Sequence, residues 1–161
     1  MIINKWDLRF LELAQHVASF SKDPSTQVGA VIADKKQRII SIGYNGFARG
    51  IADKPERLDN RELKYKMVVH AEVNAILFAG RSLEGATIYT YPFLSCSSCS
   101  SIIINAGIKR LVTVDYFPER WKENFTLSQT LYNEAAVKVF FVPLDQLSTY
   151  QPKPLKEPHG N

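Results

Sequence analysis

Residues 69–80 read Val69-His70-Ala71-Glu72-Val73-Asn74-Ala75-Ile76-Leu77-Phe78-Ala79-Gly80, almost wholly apolar and closed by glycine. Such a run is expected to form a buried helix that stops at Gly80. A strand follows from Ala86 to Tyr91, then a connector, Pro92-Phe93-Leu94-Ser95. A second apolar helix is expected from about Cys96 to Ala106, closed by Gly107, and a strand from Arg110 to Asp115. Thr126 to Ala136 reads as a helix and Lys138 to Val142 as the last strand. Helices alternating with strands in this way cover a sheet whose strands run parallel.

Working toward the N-terminus, Val28 to Ile32 and Arg38 to Tyr44 read as strands joined by the polar turn Asp34-Lys35-Lys36-Gln37. A hairpin of this kind makes them antiparallel. The stretch from Phe47 to about Tyr65 is polar and irregular and is expected to be a long surface loop. Trp6, Phe10, Leu13, Val17 and Phe20 recur at helical spacing and predict one apolar stripe, broken by Ser21-Lys22-Asp23-Pro24-Ser25. The expected architecture is therefore α/β, a three-layer α/β/α sandwich with a mixed sheet. It fills one domain over 1–145, followed by a Pro-rich tail over 146–161 that holds Pro152, Pro154 and Pro158. The tail is expected to be poorly ordered or draped over a neighbour.

The 161 residues suffice for a core without disulfide staples. No apolar run approaches the roughly 18 residues that a membrane crossing needs. The N-terminus lacks the layout of a secretory signal, so a cytoplasmic location is expected. The formal charge of +4 is dispersed, with no block of like charges. Neither a membrane nor a nucleic-acid partner is expected.

Cys96 and Cys99 are the only two cysteines. A disulfide between them would close a very short loop and stabilise little, so metal or redox chemistry is the better reading. The aromatic and Gly-Pro surroundings of thioredoxin-like redox sites are absent. If His70 and the cysteine pair each open a helix that follows a strand of one sheet, all three converge at one sheet edge. One His and two Cys leave a fourth tetrahedral position open, as in a catalytic zinc site. A structural zinc would need a fourth ligand, and only His16 and His159 remain. His16 falls on the polar helix face, with a solvated role expected, and His159 lies in the tail. Glu72 is then a non-ligand carboxylate placed to move protons. His70-Ala71-Glu72 matches the first half of the H-x-E…P-C-x-x-C pattern of zinc nucleobase deaminases, whereas Ser95 stands where that pattern has Pro. Serine is a good N-cap, so it is expected to start the helix there.

The chain resembles the deoxycytidylate (dCMP) deaminases of the cytidine-deaminase superfamily. The resemblance is carried by Ser21 to Ala30, by Gly43-Tyr44-Asn45-Gly46-Phe47-Ala48-Arg49-Gly50, by His70 to Ile76, and by Cys96-Ser97-Ser98-Cys99 with Ile103 to Ile108. Together these span roughly residues 6–142. The resemblance implies a five-stranded sheet of order 2-1-3-4-5 with strand 1 antiparallel to the rest. It implies hydrolysis of dCMP to dUMP and ammonia, feeding thymidylate synthesis. One catalytic Zn2+ would be held by His70, Cys96 and Cys99, with Glu72 as proton shuttle. Asn45 would contact the sugar, and Val28 and Ala71 would complete the substrate site. Tyr116 is a candidate to stack on the base, and Lys22, Arg49 and Arg120 are candidates for the 5′-phosphate. The family pattern also implies a homo-oligomer, a hexamer ahead of a dimer or tetramer. It implies dCTP and dTTP as effectors at the Gly-Tyr-Asn-Gly loop, with Mg2+ accompanying an allosteric nucleotide.

Two further departures from that pattern are Ala48, where a Pro is common, and the absence of the residues that give some phage relatives a second, structural zinc. The altered Ser95 connector leaves 5-substituted cytosine nucleotides open as substrates. A tRNA adenosine deaminase shares the metal motif but not the Ser-Lys-Asp-Pro-Ser-Thr and Gly-Tyr-Asn-Gly stretches. An inactive nucleotide-binding regulator would have no need of Glu72.

Overall fold

The computed structural model describes residues 2–147. The expected tail, with His159, lies outside the described residues apart from its first two positions. The chain runs α1 (Lys5–Ala18), β1 (Gly29–Ala33), β2 (Ile39–Tyr44), β3 (Gly46–Phe47), α2 (Pro55–Leu58), α3 (Arg61–Met67) and β4 (Val68–Val69). It continues with α4 (Ala71–Phe78), β5 (Thr87–Tyr91), α5 (Ser97–Asn105), β6 (Arg110–Val114), α6 (Lys122–Glu134) and β7 (Lys138–Val142).

The main sheet has the order β2-β1-β5-β6-β7. β1 is antiparallel to both neighbours, and β5, β6 and β7 are parallel. The five-stranded sandwich is as expected. The numbering of the strand order differs because two short strands intervene. These strands, β3 and β4, pair antiparallel as a separate ribbon, Gly46 opposite Val69 and Phe47 opposite Val68.

Strand alternation divides the core in two. Ala30, Ile32, Ile88 and Leu111 face one layer with Ala71, Ala75, Ile103, Phe125 and Tyr132. Val31, Ala33, Tyr89 and Val112 face the other with Phe10, Leu11, Ala14 and Val17 of α1. Thus α1 covers one face, and α4, α5 and α6 cover the other. Each large apolar side chain buried this way contributes roughly 1.5–3 kcal/mol. Helix α1 starts with a reciprocal cap in which Asn4 accepts from the Trp6 and Asp7 N–H groups and Asp7 accepts from the Asn4 N–H. Asp7 also pairs with Arg110 of β6 through both carboxylate oxygens, at 2.6 and 2.9 Å. This ties the helix to the sheet.

Four expectations are corrected. The segment 47–65 is not an irregular loop. It carries the last residue of β3, all of α2 and most of α3, and Asn60 caps α3 by accepting from the Leu63 N–H at 3.0 Å. Phe20 is not part of the α1 core stripe. The helix ends at Ala18, and Phe20 lies exposed against His16 and Tyr44. Helix α4 is not buried all round, since Leu77 and Phe78 are 68% and 58% exposed. Its packed side is the narrow Ala71–Ala75 edge. Helix α6 starts at Lys122 rather than Thr126, prolonged by a short 3-10 turn at Glu119–Trp121.

Gly43 explains how α4 sits so close to the sheet. A Cβ at this position would collide with the Ala71 carbonyl oxygen and the Ala75 nitrogen, both backbone atoms. A strand glycine here lets the helix that carries Glu72 dock directly on β2.

Candidate metal centre and active-site cavity

His70 and Cys96 each occupy the position just before a helix, with extended backbone (φ −72°, ψ 154° and φ −65°, ψ 163°). The ordered β4 ribbon delivers His70, and the connector leaving β5 delivers Cys96. Cys96 caps α5, because its Sγ accepts from the Cys99 N–H at 3.5 Å. This corrects the expectation that Ser95 would be the cap. Cys99 follows one turn later on the same helix face.

His70 Nδ1 lies 3.5 Å from Cys96 Sγ and 3.3 Å from Cys99 Sγ. The three donor atoms all lie within 4.8 Å of one another. With Zn–S near ~2.3 Å and Zn–N near ~2.0 Å, a tetrahedral ion has S···N edges of about 3.5 Å. The donor set therefore fits zinc in chemistry and in spacing. The Cys99 side chain and His70 hydrogen-bond to Cys96 and, against the cost of burial, hold its thiol well below the usual range. Cys99 is shifted upward by Cys96 and by burial. The bond to Cys96 raises His70. A helix N-terminus favours the thiolate, the form in which a cysteine binds a metal.

Glu72 lies in the first turn of α4, buried beside these ligands, and burial raises its carboxyl above the ordinary range. His70, Glu72 and Cys96 open onto a cavity of about 330 Å³. Phe93, Trp121 and Phe125 form an aromatic wall, with Trp121 and Phe125 stacked at 6.0 Å and 12°. Val28, Asn45 and Ala71 also line the cavity. The exposed Arg61 and Arg120 stand at its rim.

The phosphate candidates separate. Arg120 lines the cavity and donates to Thr26 Oγ1 at 3.0 Å. Lys22 instead pairs with Asp53 at 2.8 Å beside a different, smaller cleft. Arg49 is exposed and outside the cavity. Tyr116 lines the neighbouring open groove rather than the cavity itself. Sequence reasoning missed Arg61, Lys64 and Tyr65, all on α3. Lys64 is buried, donating to Asp23 at 2.9 Å and to Ser25 at 3.3 Å. The signal that could have found them is Asn60 as an N-cap ahead of a helix-forming run.

Residues 4–115 match the cytidine and deoxycytidylate deaminase zinc-binding region. The chain belongs to this family. It is 46% identical over 149 residues to an uncharacterized deaminase in the luxG 3′ region of Aliivibrio fischeri, covering 91% of this chain and 99% of the relative. It is 35% identical over 141 residues to the deoxycytidylate deaminase of Homo sapiens, covering 83% and 77%. In fold it is similar to a dCMP deaminase from the cyanophage S-TIM5, in complex with dCMP and dUMP. The TM-score is 0.68 at 21% identity, covering 88% of this chain and 100% of the other. Family members place a zinc-binding region over the segment that contains His70, Cys96 and Cys99.

Proposed function

We propose that this family member hydrolyses dCMP to dUMP and ammonia, with one zinc ion held by His70, Cys96 and Cys99. The observation that carries the reading is the placement of Glu72. A buried carboxyl group stands beside three converged zinc-type donors and faces a cavity with an aromatic wall and a cationic rim. The names of the relatives support the same substrate.

A zinc ion held there supplies Lewis acidity that makes water a nucleophile at neutral pH. Glu72 takes a proton from that water and delivers it to N3 of the cytosine ring. It then carries a second proton to the departing 4-amino group. The cytosine C4–N bond breaks, a C4=O bond forms, and ammonia leaves. Phe93, Trp121 and Phe125 offer ring faces to the planar base and exclude water. Arg120, with Arg61, binds the 5′-phosphate, because guanidinium groups match phosphate oxygens in pairs. Asn45 and Val28 flank the sugar.

The product would serve thymidylate synthesis, and the active form would be an oligomer in which the exposed Leu77 and Phe78 are covered. Effector nucleotides, with Mg2+, would act at the Gly-Tyr-Asn-Gly loop. Ammonia release from dCMP, CMP, deoxycytidine, dCTP and 5-methyl-dCMP tests the reading, measured with zinc content and with dCTP or dTTP added. Turnover of dCMP at least ten times more efficient than that of deoxycytidine is expected. A preference for the unphosphorylated nucleoside would overturn it.

A further inference from the structure

Close to Glu72, and outside the cavity lining, lies a group of fully buried hydroxyls that the proposed reaction does not use. Ser95, Ser100, Ser128 and Tyr132 are each 0% exposed. Two of them have clear partners. Ser128 Oγ donates to the Ser95 carbonyl at 2.8 Å, and Ser100 Oγ donates to the Cys96 carbonyl at 2.9 Å. These bonds fix the backbone of the connector where it enters α5. The other two hydroxyls, Ser95 Oγ and Tyr132 Oη, have no well-formed hydrogen bond. The Ser95 hydroxyl faces the Glu72 carboxyl group, and the Tyr132 hydroxyl faces those of Ser95 and Ser100.

Two orphaned hydroxyls in one buried group beside a carboxylate are costly, about 1–3 kcal/mol each when left unsatisfied. A hydroxyl can donate and accept at once, so a small shift of the Ser95 and Tyr132 side chains joins the three groups into a chain. Residue 95 is also where this sequence departs from the P-C-x-x-C pattern. Proline there would have no hydroxyl to offer. Neither Ser95 nor Tyr132 lines the cavity, so neither touches substrate.

We propose that Ser95 and Tyr132 are positioning residues for Glu72: Tyr132 Oη donates to Ser95 Oγ, and Ser95 Oγ donates to the Glu72 carboxylate. The chain holds the carboxylate plane toward the ring nitrogen it serves. This inference rests on the proposed role of Glu72, and its test has a readout that does not need dCMP.

Glu72→Gln identifies the carboxyl band of Glu72 in the infrared difference spectrum of the zinc-loaded protein. Ser95→Ala is expected to shift that band, and Ser95→Thr, which keeps the hydroxyl, to leave it near its original frequency. With any substrate the protein turns over, Ser95→Ala is expected to lower kcat about tenfold at nearly constant KM and full zinc content. Ser95→Thr is expected to recover most of the loss. Tyr132→Phe is expected to lower kcat less, and the double variant Ser95→Ala/Tyr132→Phe to be no worse than Ser95→Ala alone. An unmoved Glu72 band in Ser95→Ala would overturn the proposal even if dCMP proved not to be the substrate. So would a kcat within twofold of the parent, or a loss that Ser95→Thr shares equally.

Discussion

The side-chain oxygen of Asn45 accepts a hydrogen bond from the backbone N–H of Val28 at 2.8 Å, while its amide nitrogen donates to the Thr26 carbonyl at 2.9 Å. The backbone returns the grip, since the Asn45 N–H donates to the Val28 carbonyl at 3.2 Å and Ser21 Oγ donates to the Asn45 carbonyl at 2.8 Å. Asn45 is therefore a buried staple that holds the Thr26–Val28 rim of the cavity. Its amide still has one N–H and one lone pair for a sugar hydroxyl. Asn45→Ala is expected to cost about 2–3 kcal/mol, from two lost hydrogen bonds and a stranded Val28 N–H. KM should rise as the rim loosens. Urea unfolding and steady-state kinetics check this, and an unchanged unfolding midpoint would count against the staple.

Gly43 and Ala71 meet backbone to backbone. Gly43→Ala must push α4 away from β2, and α4 carries Glu72 in its first turn. Overpacking of this kind typically costs ~1–3 kcal/mol. A displacement near 1 Å at a catalytic group can cost on the order of 10²-fold in rate. Gly46→Ala, where a Cβ would meet nothing within 4 Å, is the matched control. A fall in kcat for Gly43→Ala but not for Gly46→Ala is the expected result. Equal effects would deny the docking role.

Much of this was legible in sequence because it is local or periodic. The strand and helix order follows from apolar spacing, and the His70, Cys96 and Cys99 cluster follows from helix starts at one sheet edge. What was not legible depends on partners distant in the chain. Lys64 reads as one surface charge among several, and only its approach to Asp23, 41 positions away, buries it. Leu77 and Phe78 share the apolar run of α4, but periodicity says nothing of which side finds a neighbour. Cys96 rather than Ser95 caps α5 because both Ser95 polar groups turn inward, a choice that depends on α6. Lys22 and Arg49 match the family stretch in sequence yet lie off the cavity, and Lys22 pairs instead with Asp53.

Stability should fall in acid through Asp7. Burial would raise its carboxyl, but Arg110, the Asn4 N–H and Tyr89 outweigh burial and hold it below the ordinary value. Asp23, paired with buried Lys64, is lowered in the same sense. A carboxylate depressed in the folded state contributes its stability above the unfolded pKa. That contribution is lost as pH falls below about 4 toward the folded value. Asp7→Asn removes part of this dependence and is expected to cost about 3–5 kcal/mol near pH 7, because Arg110 is left buried without its partner. Thermal melts from pH 3 to pH 7 check it. A parent protein equally stable across that range would refute the account.

Glu72→Gln keeps the shape of the side chain and removes its proton chemistry. Acid–base catalysis by one group is typically worth ~10²–10⁴-fold, so kcat should fall at least that far while zinc stays bound. Cys99→Ser should instead lose zinc and, with it, thermal stability, since metal binding is coupled to folding. Metal analysis of the purified variants separates the two roles. A Glu72→Gln protein with full zinc and near-parent turnover would remove Glu72 from the mechanism.

Arg120 and Arg61 should decide whether the substrate must carry a phosphate. Both are exposed at the rim, so neither is needed for the core, and their replacement should leave the unfolding midpoint almost unchanged. A hydrogen bond to a charged group contributes about 1.5–3 kcal/mol. Arg120→Gln should therefore raise KM for dCMP about 10- to 100-fold and barely alter KM for deoxycytidine. Arg61→Gln should act in the same direction, but more weakly if its stacking on Tyr65 and its bond to the Tyr65 hydroxyl at 3.0 Å compete with phosphate. Lys22→Gln and Arg49→Gln, which lie away from the cavity, should change neither constant. If the ratio of the two KM values moved with Lys22 instead, the phosphate would have to sit at the smaller cleft beside Asp53, and the rim assignment would be wrong.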